Sequence, residues 1–133
     1  MRKPLCITLS ILSIHLWSTL SLAAPQACKY VSEGAVQQAW KKIRIQRVGE
    51  SSRETALAGA NTFSEAVVLA QGLITQQICT PQLQDCRMAS EGIVAGVWMK
   101  HRIQMDQEMV FGADDMATAL KQLSELRRQG FCE

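Results

Sequence analysis

Downstream of residue 27, apolar residues recur at three- and four-residue spacing along most of the chain, and that period predicts helices. Val31, Ala35, Val36, Ala39, Trp40 and Ile43 form the first stripe, over about Tyr30 to Val48. Gly49 and the polar Glu50-Ser51-Ser52 end it. Ser51 stands three residues before Glu54, a spacing in which each side chain satisfies a free N–H at a helix start. A second helix is therefore expected from Ser52 to Cys79, with Phe63, Val67, Ala70, Ile74 and Ile78 facing inward. Thr80-Pro81 supplies a cap and a first-turn proline for a third. This one carries Met88, Gly92, Val94, Ala95, Gly96, Trp98, Met99 and Ile103, and fades near Met109. Phe111-Gly112-Ala113 breaks the pattern. Asp114 or Asp115 caps the fourth helix, whose face is Met116, Leu120, Leu123 and Arg127 and whose stop is Gly130. The pattern yields no strand and no internal repeat. It predicts an all-α fold, a small disulfide-stapled four-helix up-and-down bundle.

The segment before this domain reads differently. Arg2 and Lys3 precede a run from Leu5 to Leu22 that is apolar or hydroxylated, and Ser21 and Ala23 occupy the small-residue positions of a cleavage site. Residues 1–23 are expected to be a signal peptide, leaving 24–133 as a single helical domain, periplasmic or secreted. With Arg2 and Lys3 removed, 14 − 2 = 12 basic residues face 12 acidic ones. A near-neutral domain lacks the sustained positive face that phosphate binding needs, so no nucleic-acid partner is expected. Nor is stable membrane insertion expected, since no second apolar span follows.

Cys6 leaves with the signal peptide, and Cys28, Cys79, Cys86 and Cys132 remain. Their spacing lacks the close pairs of structural zinc sites, and an even count in an exported small domain favours disulfides. In an alternating bundle all four fall at one end. A helical turn from residue 81 to 86 would carry Cys86 away from Cys79, which favours Cys28–Cys79 and Cys86–Cys132.

Few groups could carry catalysis. After signal removal His101 is the single histidine, it lies among Lys100, Arg102 and Gln104, and no nucleophile elbow or phosphate loop is present. No enzyme activity and no cofactor are expected. His101, Met105 and Met109, spaced by four, offer an alternative as a copper or haem carrier site, against their use as packing residues. Gly92 and Gly96 would let a helix approach closely, inside the bundle or across a homodimer. A basic run of Lys41, Lys42, Arg44 and Arg47 falls at the bundle end opposite the cysteines. Val110, Phe111, Asp114 and Asp115 fall there too, and an apolar centre rimmed by both charges is a protein-binding surface. The expectation is a non-enzymatic protein-binding module whose partner is another envelope or secreted protein. Its most specific form is an inhibitor or immunity-type protein against a cell-envelope-targeting enzyme. The alternatives are an accessory subunit of a secretion or conjugation apparatus, the metal carrier, and a secreted receptor ligand.

Overall fold

A computed structural model describes residues 25–49 and 56–133. The signal-peptide reading of residues 1–23 and the Ser51/Glu54 cap lie outside the described residues. Within them the chain forms eleven strands and two helices, which overturns the all-α bundle. The strands are β1 (Gln26–Val31), β2 (Gly34–Val36), β3 (Ala39–Lys41), β4 (Ile43–Arg47) and β5 (Ala56–Ala60). After α1 (Phe63–Thr75) come β6 (Cys79–Pro81), β7 (Cys86–Ala89), β8 (Gly92–Val94), β9 (Val97–Met99), β10 (His101–Met105) and β11 (Glu108–Ala113), and α2 (Met116–Gln129) closes the chain. The expected first and third helices are therefore strands. Only the later part of the second and the fourth are helical.

The element order is one unit written twice. Residues 28–46 and 86–104, 58 apart, share Cys, Ser, Glu, Gly, Val, Trp, Lys, Arg, Ile and Gln in register, ten identities in nineteen positions. This corrects the reading that the chain holds no repeat. In each copy the first strand pairs antiparallel with the strand after a hairpin, which pairs antiparallel with the next: β1 with β4 and β5, then β7 with β10 and β11. The register shifts at the same place, between Ile45 and Gln46 and between Ile103 and Gln104. Beyond the β4–β5 connection the offset falls to 53, because that connection is longer in the first copy. Thr62 then corresponds to Asp115, and both cap helices: the Glu65 N–H donates to Thr62 Oγ1 at 3.2 Å, and the Thr118 N–H to Asp115 Oδ1 at 2.8 Å. Both helices end alike. Gln77 and Gly130 adopt left-handed φ of 58° and 91°, and the next N–H returns to a helix carbonyl, Ile78 to Leu73 at 2.9 Å and Phe131 to Leu126 at 3.0 Å.

A disulfide closes each copy on itself. Cys28–Cys79 and Cys86–Cys132 tie the first strand to the segment after the helix, with Cα separations of 5.6 and 5.5 Å. The parallel pairing behind each bond also repeats, as Gln26 opposite Cys79 and Gln84 opposite Cys132. This is the pairing favoured from the sequence, but strand pairing produces it and bundle geometry does not.

Alternation along β4 explains the layering. Ile43 and Ile45 are buried and face the core, so Arg44 faces the other way, together with its cross-strand partner Gly59. The β2–β3 hairpin lies on this outer side: a Cβ built on Gly59 would fall 2.5 Å from Lys41 Cγ and 2.9 Å from Val36 Cγ2. The second copy does the same, with Gly112 under Met99. On the inner side α1 packs on β4, β5 and β6, and α2 on β10 and β11. The copies share one core, in which the Tyr30 ring meets Phe111 at 5.2 Å and Phe131 at 4.5 Å. Tyr30 also donates its hydroxyl to Gln129 Oε1 at 2.9 Å, and Gln129 Nε2 donates to the Val67 carbonyl at 3.1 Å. One buried network thus joins the two copies.

Candidate functional site

Identities between the copies separate residues needed for the fold from residues that the fold does not need. Most of the ten have a structural role. The cysteines form the disulfides; Ile45 and Ile103 are in the core. Gly34 and Gly92 make room for arginine: a Cβ would fall 2.6 Å from Arg44 Cζ and 2.4 Å from Arg102 Cζ. With that room, Arg44 Nε donates to the Ser32 carbonyl at 2.8 Å and Arg102 Nε to the Ser90 carbonyl at 2.7 Å, pinning the foot of each hairpin to the following strand.

Three identities have no such role. Glu33, Trp40 and Lys42 are exposed, as are their counterparts Glu91, Trp98 and Lys100. Trp40 is 65% exposed and Trp98 59%. Leaving that much of an indole in water forgoes about 2–4 kcal/mol of burial at each site. The neighbours changed freely meanwhile, with Ala39 against Val97 and Lys41 against Met99. An exposed aromatic kept through such divergence points to binding. Trp40 is also held in place, because its Nε1–H donates to Glu33 Oε2 at 3.2 Å.

The two hairpins differ around the shared tryptophan. Trp40 stands opposite Ala35 on β2, whereas Trp98 stands opposite Ile93, which is 60% exposed, and follows Val97, which is 41% exposed. The second hairpin therefore presents a wider apolar patch. Between it and the first copy lies a cleft of about 160 Å³. Lys42, Ile43, Asn61, Thr62 and Phe63 of the first copy line it together with Val94, Ala95, Val97, Met99, Val110, Phe111, Gly112 and Gln122 of the second. The foot of one hairpin thus faces the body of the other.

The surface expected from the sequence is brought together only in part. Val110 and Phe111 are core residues, 1% and 2% exposed, because the register shift leaves Val110 as the extra residue between Met109 and Phe111 and breaks the alternation of β11 there. Asp115 is the α2 cap, and the Thr118 N–H and hydroxyl hold its carboxyl below the usual aspartate range; Asp114 is exposed beside it. Arg44 is committed to Ser32, Lys41 packs on Gly59, and the Arg47 Nε is buried. Of that set, Lys42, Val110 and Phe111 line the cleft described above. The His101, Met105 and Met109 grouping also dissolves. His101 and Met105 end a strand, roughly 13 Å apart at four residues' rise, and Met105 is buried. Met109 lies on β11 opposite Gln104. Gly92 and Gly96 do not form a helix face; they sit at the foot and turn of the second hairpin.

No group of three or more His, Cys, Asp or Glu that could hold a metal ion occurs among the described residues, and no helix there is long and apolar enough to cross a membrane. The two disulfides are compatible with an exported or extracellular protein. Comparison with protein-family models, with curated proteins and with solved structures finds no match.

Proposed function

We propose that this chain is a non-enzymatic, periplasmic or secreted module that binds another envelope or secreted protein through its two tryptophan hairpins. The observation that carries this reading is the retention in both copies of exposed Trp and Lys outside the core, together with a Glu that in the first copy accepts from the indole and holds it in place. Tryptophan is the residue type most concentrated at energetic centres of protein interfaces. A hairpin pinned by an arginine at its foot loses little freedom on binding. The specific role we propose is inhibition of a cell-envelope-targeting enzyme, for which a small, rigid, doubly cross-linked surface is suited.

The test is affinity capture from envelope extract with the wild-type protein, Trp40→Ala, Trp98→Ala and a control, Val68→Ala, whose side chain is equally exposed but lies on α1. A stoichiometric protein should be recovered by the wild type and the control. Each tryptophan variant should bind it about 30-fold more weakly, the loss expected for an interface hot spot. Equal recovery by all four proteins would defeat the reading.

A further inference from the structure

The cleft beside the second hairpin has a charge pattern that its surroundings lack. Ile43, Phe63, Val94, Val97, Met99 and Phe111 make most of its wall apolar, no acidic residue lines it, and Lys42 is the one cation in the lining. The Lys42 ammonium is exposed and makes no ion pair among the described residues. Thr62, the cap of the 13-residue helix α1, also lines the cleft, but Glu65 in the first turn accepts from the Asn61 N–H at 3.3 Å and offsets the helix dipole, so Lys42 alone supplies the positive charge. The internal repeat supplies a comparison. The positions matching Lys42, Ile43, Asn61, Thr62 and Phe63 are Lys100, His101, Asp114, Asp115 and Met116. Two of these are carboxylates, so the corresponding region of the second copy would repel an anion. The apolar, cation-rimmed cleft thus belongs to one side of the molecule, unlike the tryptophans, which belong to both.

We infer that this cleft receives the C-terminal residue of a partner polypeptide, its apolar side chain among Ile43, Phe63, Val97 and Phe111 and its terminal carboxylate on Lys42. A chain end combines an apolar group with an anion one residue deep, and about 160 Å³ is space for a single side chain. The rest of the partner has a path outward. Val97 lines the cleft and its chain neighbour Trp98 lies on the other face of the same short strand, opposite Ile93, so a chain leaving the cleft reaches the indole by rounding the edge of the second hairpin. This assignment rests on the reading that the tryptophan surface receives a protein.

Three probes test it by amide shifts in nitrogen-labelled mature protein: acetyl-Ala-Ala-Phe with a free carboxylate, the same peptide as its amide, and 3-phenylpropanoate. The free-acid peptide should move the amides of Ile43, Phe63 and Val94 to Val97, and should bind about fivefold more tightly than the amidated peptide, as expected of a partly exposed ion pair. Lys42→Gln should remove the preference for the acid over the amide. Trp98→Ala should weaken the peptide and leave 3-phenylpropanoate unaffected. An amide that binds as well as the acid would overturn the assignment, and so would 3-phenylpropanoate binding as tightly as the peptide, which would make a free small acid the occupant. Absence of any shift at these residues would also overturn it. If that absence accompanies loss of the captured partner in the tryptophan variants, the cleft assignment falls while the tryptophan surface stands.

Discussion

The two copies of the unit agree in framework and differ in surface. Both have a hairpin laid over the outer face of a three-stranded meander, an arginine hooked to a serine carbonyl, a capped helix beneath, and one disulfide. The first copy surrounds its tryptophan with Ala35, Gln37, Gln38 and Ala39, and the second with Ile93, Ala95, Gly96 and Val97. At the shared core they diverge again, since the position of Tyr30 is Met88 in the second copy. A duplicated framework thus tolerates change where residues pack or face solvent singly. It keeps what pins the hairpins, and it keeps Glu, Trp and Lys although they lie exposed.

The largest expected effect tests whether the copies are equivalent in stability. The disulfides close loops of 51 and 46 residues, for which chain entropy predicts about 4 kcal/mol each. Removing either pair, as Cys28→Ser with Cys79→Ser or Cys86→Ser with Cys132→Ser, should lower the melting temperature by nearly the same large amount. A variant pair that melts like the wild type would show that one copy does not depend on its cross-link.

Next in size are the glycines under the hairpins. Gly59→Ala and Gly112→Ala place a Cβ against the inner atoms of Lys41 and Met99, and at Gly112 also 3.1 Å from the His101 carbonyl oxygen. Each should cost about 1–3 kcal/mol in denaturant unfolding. Gly112→Ala should cost more, because a backbone carbonyl yields less readily than a side chain. The reverse order would mean that the second hairpin rides more loosely on its sheet.

Tyr30→Phe, which makes the first copy less unlike the second, should cost about 1–2 kcal/mol by leaving Gln129 Oε1 without its donor in the interior. It also carries a pH signature. Burial pushes the Tyr30 hydroxyl above its ordinary value of 10.0, so the folded state holds this proton more tightly than the unfolded chain. The resulting stability is fully present below pH 10 and is lost as pH rises beyond it. Unfolding followed from pH 9 to 11 should show that loss in the wild type and a smaller loss in Tyr30→Phe. Identical profiles would remove Tyr30 from the account.

The smallest expected effect on stability is at the tryptophans. Trp40→Ala and Trp98→Ala should each change unfolding free energy by no more than about 0.5 kcal/mol. A larger cost would place the indoles in the structure's own packing.

How much of this the sequence reveals follows from particular residues. The fourth helix is legible because its cap Asp115 and its stop Gly130 agree, but its inward face is Ala119, Leu123 and Leu126, whereas Met116, Leu120 and Arg127 of the expected face are exposed. The hairpins are hidden by their turns. Gln37 and Gln38 adopt left-handed φ of 49° and 70°, where Asn-Gly would ordinarily announce a two-residue turn. In the second copy only Gly96, beside Ala95, hints at it. Strands of three residues are too short for alternation to be told from helical spacing, so Val31, Ala35, Val36, Ala39 and Trp40 imitate a helix face. The alternation of Ile43-Arg44-Ile45-Gln46 is the local signal for β4, and the same Arg-Ile-Gln in β10 is the signal for the duplication. Aligning the chain with itself at 58 residues finds both. It also finds the tryptophan sites, which periodicity assigned to a buried stripe. The loss of Val110 and Phe111 to the core has no comparable sequence signal, since a short apolar run looks the same on either side of a strand's end.

Hydroxyl-radical footprinting of the two indoles, free and in the captured complex, tests the central claim most directly. Both Trp40 and Trp98 should oxidise readily in the free protein and be protected in the complex, while Val68 and Leu83 stay as reactive as before. Unchanged oxidation of both tryptophans in a stable complex would contradict the claim that these retained residues form the binding surface.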